Sequence, residues 1–148
     1  MSDTYLKLIS IVPGFVPDKL KERKAREFLN NSFKNWEIEF INTDEIEFID
    51  QGANFETVKC NYCGKEINTE IWQNATDESY NTGFKDLSFV TPRCHESTTL
   101  NDLKYEWPAG FAKFAMLISN PLVDTNDGAV NELETILGTK IRKIWAYY

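Results

Sequence analysis

Histidine occurs once in these 148 residues, cysteine three times, proline five times and glycine seven. So few cysteines, and an odd number of them, argue against a disulfide framework. So little glycine and proline excludes a collagen-like or low-complexity chain. Positive charge is also scarce: 16 Lys and Arg face 23 Asp and Glu, for a net charge of −7. Proteins that grip nucleic acid through its phosphates carry a basic face. Here the one basic stretch is 19–26, so nucleic acid is not an expected partner. No apolar run approaches the roughly 18 residues that span a bilayer; the longest, 111–119, is interrupted by Lys113. The first residues lack the basic start and apolar stretch of a signal peptide. A cytoplasmic location with reduced thiols is expected, with no membrane partner.

What is present is core material. Hydrophobic residues make up 42% and aromatics 14%, enough for a packed interior in a single domain, 1–148. Residues 4–12 are β-rich and end at Pro13-Gly14. Asp18 then predicts the N-cap of a helix in which Leu20, Ala25, Phe28, Leu29 and Phe33 share a face. From Trp36 to Ile49 the period changes to two. Glu37-Ile-Glu-Phe-Ile41 recurs as Glu45-Ile-Glu-Phe-Ile49 around Asn42-Thr43-Asp44, which fits two strands joined by a turn or one bent strand. The glutamates read as the solvated face of a sheet.

Residues 55–59 predict a short strand leading into Cys60, and 69–80 a helix capped by Thr69 with Ile71, Trp72 and Ala75 on one side. Residues 87–91 predict another strand, ended by Pro92-Arg-Cys-His95. Residues 111–119 suit a strand buried on both faces, broken at Asn120-Pro121. Asp127 is placed to cap a helix bearing Ala129, Val130, Leu133, Ile136 and Leu137, with Gly138 following, and 140–148 close the chain as an alternating strand. Both ends thus read β-α-β. The expected fold is α+β: a ferredoxin-like split βαβ sandwich with an inserted zinc-ribbon-like lobe at about 55–105.

All three cysteines and the single histidine fall in two places. Cys60-Asn-Tyr-Cys63-Gly64 is one: thiolates at this spacing on a tight turn reach one tetrahedral ion, and the glycine admits a positive φ. Cys94-His95 is the other. Cys60, Cys63, Cys94 and His95 are therefore the candidate zinc ligands. Adjacent residues on an extended strand face opposite sides, so Cys94 and His95 can both ligate only at a turn, which Pro92 favours. A carboxylate or water as fourth ligand, and reduced cysteines without metal, are the alternatives. A structural site is expected, since four protein ligands leave no open position. The lobe also looks short of core residues, so that an ion would supply folding energy.

No catalytic residue is assigned. Cys94-His-Glu96 has the C-x-E pattern of zinc deaminases, in which the glutamate carries protons for a zinc-bound water, but here C-x-x-C comes first in the chain. A redox C-x-x-C belongs at a helix N-terminus. Neither GxxxxGK[ST] nor GxGxxG occurs, so nucleotide cofactors have no phosphate loop.

Phe48-Ile-Asp-Gln-Gly-Ala-Asn-Phe55, Cys60-x-x-Cys63-Gly64, Leu100-Asn-Asp-Leu103, Tyr105-Glu-Trp-Pro-Ala-Gly-Phe-Ala112 and Ile144-Trp-Ala-Tyr147 together resemble a set of small uncharacterised bacterial proteins. The resemblance runs over about 48–148 and implies common descent but no particular activity. Some members are labelled as sugar-transporter ATPases, a label that the missing phosphate loop does not support here. In that set two adjacent cysteines often stand at the positions of Arg93 and Cys94, and His95 could substitute for the one missing. Trp107 and Phe111, around the Pro-Ala-Gly corner, are expected to lock the lobe against the sheet, or else to form an aromatic surface for a partner. Asn101 and Asp102 are expected to cap a turn.

The leading functional expectation is a non-enzymatic domain with structural zinc and a protein partner, immunity- or antitoxin-like in its acidic character. Pairing of copies through the edge of 140–148 is compatible with it. The second reading is a zinc-dependent hydrolase or deaminase acting on a small polar substrate, with Glu96 as proton carrier.

Overall fold

The period-two segments at the two ends of the chain fold into one sheet. The computed structural model describes residues 3–34, 36–121 and 127–148. Its sheet contains β1 (Thr4–Ser10), β2 (Ile38–Ile49), β7 (Gly110–Ser119) and β8 (Ile141–Tyr147), in the order β2-β7-β1-β8 with every neighbouring pair antiparallel. Helix α1 (Lys19–Ser32) links β1 to β2, and α3 (Asp127–Leu137) links β7 to β8. Each β-α-β unit leaves a one-strand gap, filled by the first strand of the other unit. The architecture is α+β.

Both helices cover the same face. Ala25 and Leu29 of α1 and Leu133 and Leu137 of α3 pack with Leu6, Leu8, Phe114, Met116 and Ile118 of the central strands. Asp18 caps α1 as its position predicts, its Oδ1 accepting from the Lys21 N–H at 2.8 Å. Leu20 departs from expectation: it is half exposed, because the first turn of α1 projects beyond the sheet. Asp127 is the first residue of α3, and the capping predicted for it lies outside the described residues.

Residues 36–49 form one strand, not two. Asn42 pairs with Phe114 but Glu47 with Ala112, so four residues of β2 bulge opposite Lys113 alone. Thr43 holds the bulge, its hydroxyl donating to the Glu45 carbonyl at 2.6 Å. This explains the repeated word: Ile38 and Phe40, before the bulge, pack on the helix-side core, while Ile46 and Phe48, after it, pack into a second one. The glutamates at 37, 39, 45 and 47 are exposed along this edge strand, where charge discourages edge-to-edge pairing.

That second core belongs to the lobe between β2 and β7. The lobe comprises β3 (Val58–Lys59), α2 (Thr69–Tyr80), β4 (Ser88–Val90), β5 (Ser97–Thr99) and β6 (Lys104–Tyr105), with β3 paired to β6 and β4 to β5. Asn68, not Thr69, caps α2, its side chain accepting from the N–H groups of Glu70 and Ile71. Trp72 is buried while Ile71 is exposed. The lobe is not short of core residues: Val58, Ile67, Trp72, Phe84, Leu87, Phe89, Leu100, Leu103 and Tyr105 are all buried in one cluster with Phe111 of β7.

Leu100–Phe111 is the joint between lobe and sheet. Buried Asn101 donates to the Ile11 carbonyl (2.9 Å), accepts from the Phe111 N–H (2.9 Å) and, through its carbonyl, from Arg142 (3.0 Å). A Cβ on Gly110 would meet Ile9 and Arg142 at 2.8 Å, so this approach needs glycine. Phe111 locks the joint, but Trp107 does not share that role: it is 46% exposed at φ 57° and, with Trp145, Tyr147, Asn54 and Thr4, lines a surface cleft. Residues 51–54 occupy part of the outer edge of β8. The Tyr147 N–H donates to the Gln51 carbonyl, the Ala53 N–H to the Tyr147 carbonyl, and the Asn54 amide to the Trp145 carbonyl. The strand-edge route to self-pairing is therefore covered over residues 145–147.

Candidate metal centre

Two hairpins carry the cysteines. In the first, β3 runs into Cys60, the chain turns through Cys63-Gly64, and Lys59 bridges back to Glu66. The Cys60 N–H donates to the Lys65 carbonyl (2.9 Å), and the Gly64 N–H, at φ 73°, donates to the Cys60 carbonyl (3.0 Å). The Cys60 sulfur consequently sits inside the turn and accepts from the N–H groups of Tyr62 (3.3 Å) and Cys63 (3.4 Å). The second hairpin is β4 and β5, whose turn, 91–96, carries Cys94 and His95. Side chains tie the two: Asn61 donates to the Thr98 hydroxyl and the Tyr62 hydroxyl to the Ser97 carbonyl, both at 3.1 Å.

The turns face each other so that the sulfurs of Cys60, Cys63 and Cys94 all lie within 4.8 Å of one another. The Cys60 and Cys94 sulfurs are 3.8 Å apart. Two sulfurs bound to one tetrahedral zinc at about 2.3 Å stand about 3.8 Å apart, so the spacing fits the ion. Burial pushes the Cys60 thiol up, but the Cys63 and Tyr62 N–H groups and the neighbouring thiols outweigh it and bring it down to about 7. Contact with Cys63, followed by desolvation and the other thiol, drives Cys94 up to about 12. Crowded thiols thus ionise one at a time, and a bound cation is what would let all three be thiolates together.

Three of the four predicted ligands are brought together. Among the described residues the cluster holds no histidine and no carboxylate. His95 is exposed at the corner of its turn with φ 55°, its N–H donating to the Thr91 carbonyl at 2.9 Å. Glu96 is also exposed, and its backbone N–H donates to the Thr91 hydroxyl at 2.9 Å. Beside the thiols, a cavity of about 190 Å³ is lined by Cys60, Cys63, Lys65, Glu66, Ile67 and Arg93, among others. The backbone donors to Cys60 were not predictable from composition; the Gly64 that shapes their turn was.

No protein-family profile matches the chain, and no curated protein and no solved structure matches it either. Among the described residues no helix is long and apolar enough to cross a membrane.

Proposed function

We propose that this chain is a zinc-stabilised, non-enzymatic interaction domain of the cytoplasm: a ferredoxin-like split βαβ sandwich carrying a zinc-ribbon-like lobe. The observation that carries the metal reading is the convergence of three thiols from two separate turns. Packing does not account for it. A structural free cysteine is ordinarily a buried small apolar residue, yet Cys63 is exposed and Cys94 only half-buried. The strand order, with both helices on one face, supports the sandwich, and two short hairpins closing on the thiols support the ribbon. A net charge of −7 and the exposed glutamates of β2 favour a basic protein as partner over nucleic acid.

Elemental analysis of protein purified without a metal-affinity step tests the reading. About one zinc per chain is expected, and chelation should lower Tm by roughly 5–15 °C, equivalent to about 2–4 kcal/mol at this size. Cys60→Ser should reproduce that loss and make the melt insensitive to chelator. A metal-free protein whose melt ignores both chelator and added zinc would overturn it.

One observation favours a second reading, a zinc-dependent hydrolase or deaminase: three protein ligands leave a position for a reactive water. Glu96 is its candidate proton carrier. Turnover of a small polar amide or aminopyrimidine by zinc-loaded protein, lost in Glu96→Gln with zinc retained, would replace the first reading by this one.

A further inference from the structure

The two cysteine turns are copies. Offset by 31 positions, Cys60-Asn-Tyr-Cys63-Gly64-Lys65 lies on Thr91-Pro-Arg-Cys94-His95-Glu96. The pairing register agrees: Lys59 opposes Glu66 as Val90 opposes Ser97. So do the hydrogen bonds. The Cys60 N–H donates to the Lys65 carbonyl at 2.9 Å, and the Thr91 N–H to the Glu96 carbonyl at 3.0 Å. The Gly64 N–H donates to the Cys60 carbonyl at 3.0 Å, and the His95 N–H to the Thr91 carbonyl at 2.9 Å. Gly64 and His95 both have positive φ, 73° and 55°. Burial repeats as well: Cys60 and Thr91 are buried at 3% and 1%, while Gly64 and His95 are exposed.

In this correspondence Cys63 matches Cys94, Cys60 matches Thr91, and His95 matches the glycine. The first turn offers both its cysteines to the cluster and the second offers one, because the position equivalent to Cys60 holds a hydroxyl. We propose that Thr91, and not His95, marks the fourth corner of the metal centre, so that an ion bound here has three protein thiolates and a fourth position filled by an exchangeable donor. This rests on the reading that the thiols bind metal. His95 has a different part, filling a left-handed corner that a glycine would fill with less strain. Access for the exchangeable donor exists on the side of the cavity beside Cys60 and Cys63, where Lys65 and Arg93 favour an anionic one. Such an ion is held but remains replaceable, as one enclosed by four thiolates is not.

Cobalt(II) titration of the reduced full chain, its Thr91→Cys variant and its His95→Gly variant tests this. The thiolate-to-cobalt absorption should grow in Thr91→Cys in the ratio of four thiolates to three. Affinity should tighten at least ~10-fold, and zinc release to a chromophoric chelator should slow by a similar factor. His95→Gly should leave spectrum, affinity and release rate as in the natural chain. If His95→Gly instead weakens binding ~10-fold and changes the spectrum, His95 is the fourth ligand and the proposal fails while the metal reading stands. If Thr91→Cys binds with an unaltered thiolate count, the corner is misplaced. If only Thr91→Cys binds cobalt, the corner is confirmed and the metal reading of the natural chain fails. If neither binds, both fail.

Discussion

The sheet layer fills its interior with aliphatic side chains, Leu6, Leu8, Leu29, Ile118, Leu133 and Leu137 among them, whereas the lobe fills its own with rings: Phe48, Trp72, Phe84, Tyr105 and Phe111. The difference follows from how much regular structure each has. Strands of seven to twelve residues present alternate positions to a core, and many medium-sized side chains suffice. The lobe's strands have two or three residues each, so few positions face inward and each must bury more. Aromatic side chains bury about 150–250 Å² apiece. Ring contacts run through the lobe from Phe55 to Trp72, Phe48, Phe111 and Phe84 at centroid separations of 5.1–5.9 Å. A region poor in secondary structure is therefore not poor in core, and the work left to a metal is local: joining two turns at the lobe's surface.

The largest expected effect comes from breaking the shared element. β7 feeds both interiors, Phe111 facing the rings and Phe114 the aliphatic side. Phe111→Ala and Phe114→Ala should each cost about 3–5 kcal/mol. Because β2 and β7 run through both regions, each variant should melt in one transition. Tryptophan fluorescence, which sees Trp72 in the lobe, and far-UV circular dichroism, dominated by the sheet and helices, should then coincide. Two resolved transitions in Phe111→Ala would show instead that the lobe is a separate folding unit.

A smaller effect isolates the lobe's own polar tie. Trp72 Nε1 donates to the Tyr105 hydroxyl at 3.1 Å, which donates to the Leu100 carbonyl at 2.6 Å, all buried. Tyr105→Phe keeps the ring and leaves a donor and an acceptor without partners, which should cost about 1–3 kcal/mol in a urea titration. A loss below that range would mean that water or a shift of α2 restores the bonds.

The same contrast decides what the sequence discloses. The sheet layer is legible because long elements repeat their signal: the switch from period 3.6 to period 2 marks α1 and β2, and Phe111–Ser119 reads as a central strand before any pairing is known. What is not legible is set by contacts between distant residues. The bulge in β2 depends on what lies across from it, so Asn42-Thr43-Asp44 looks like a turn. The lobe's core is hidden because its rings are spread singly through irregular chain. His95 was the expected fourth ligand because imidazole is the right chemistry beside Cys94. Thr91 drew no attention because hydroxyls seldom ligate zinc, and its place emerges only from the hairpin register. The 31-residue offset between the two turns is present in the sequence, but with cysteine replaced by threonine and glycine by histidine it lacks the two letters that would reveal it.

The smallest effect separates the two regions by pH. The sheet layer's polar tie is charged, where the lobe's is neutral. Lys7 donates to the Tyr148 hydroxyl (2.8 Å) and to Asp50 Oδ1 (3.2 Å), and the Tyr148 hydroxyl donates to Asp50 Oδ2 (2.8 Å). Partial burial opposes ionisation of Asp50, but the Tyr148 hydroxyl, the Lys7 ammonium and the Gly52 N–H together hold its carboxyl below its ordinary 3.8. A carboxyl lowered on folding contributes stability that is present above its unfolded pKa, about 3.9, and is lost as pH falls through the folded value. Asp50 is 40% exposed, so solvent limits the contribution to about 1 kcal/mol or less. Asp50→Asn should therefore lower the urea midpoint slightly at about pH 6 and converge on the unmodified chain near pH 2.5, where both carry a neutral side chain. Tyr105→Phe should keep the same deficit throughout that range, since burial holds the Tyr105 hydroxyl well above its usual pKa and nothing in its tie titrates in acid. A constant Asp50→Asn deficit down to low pH would mean that shape, rather than charge, is what this corner of the sheet requires.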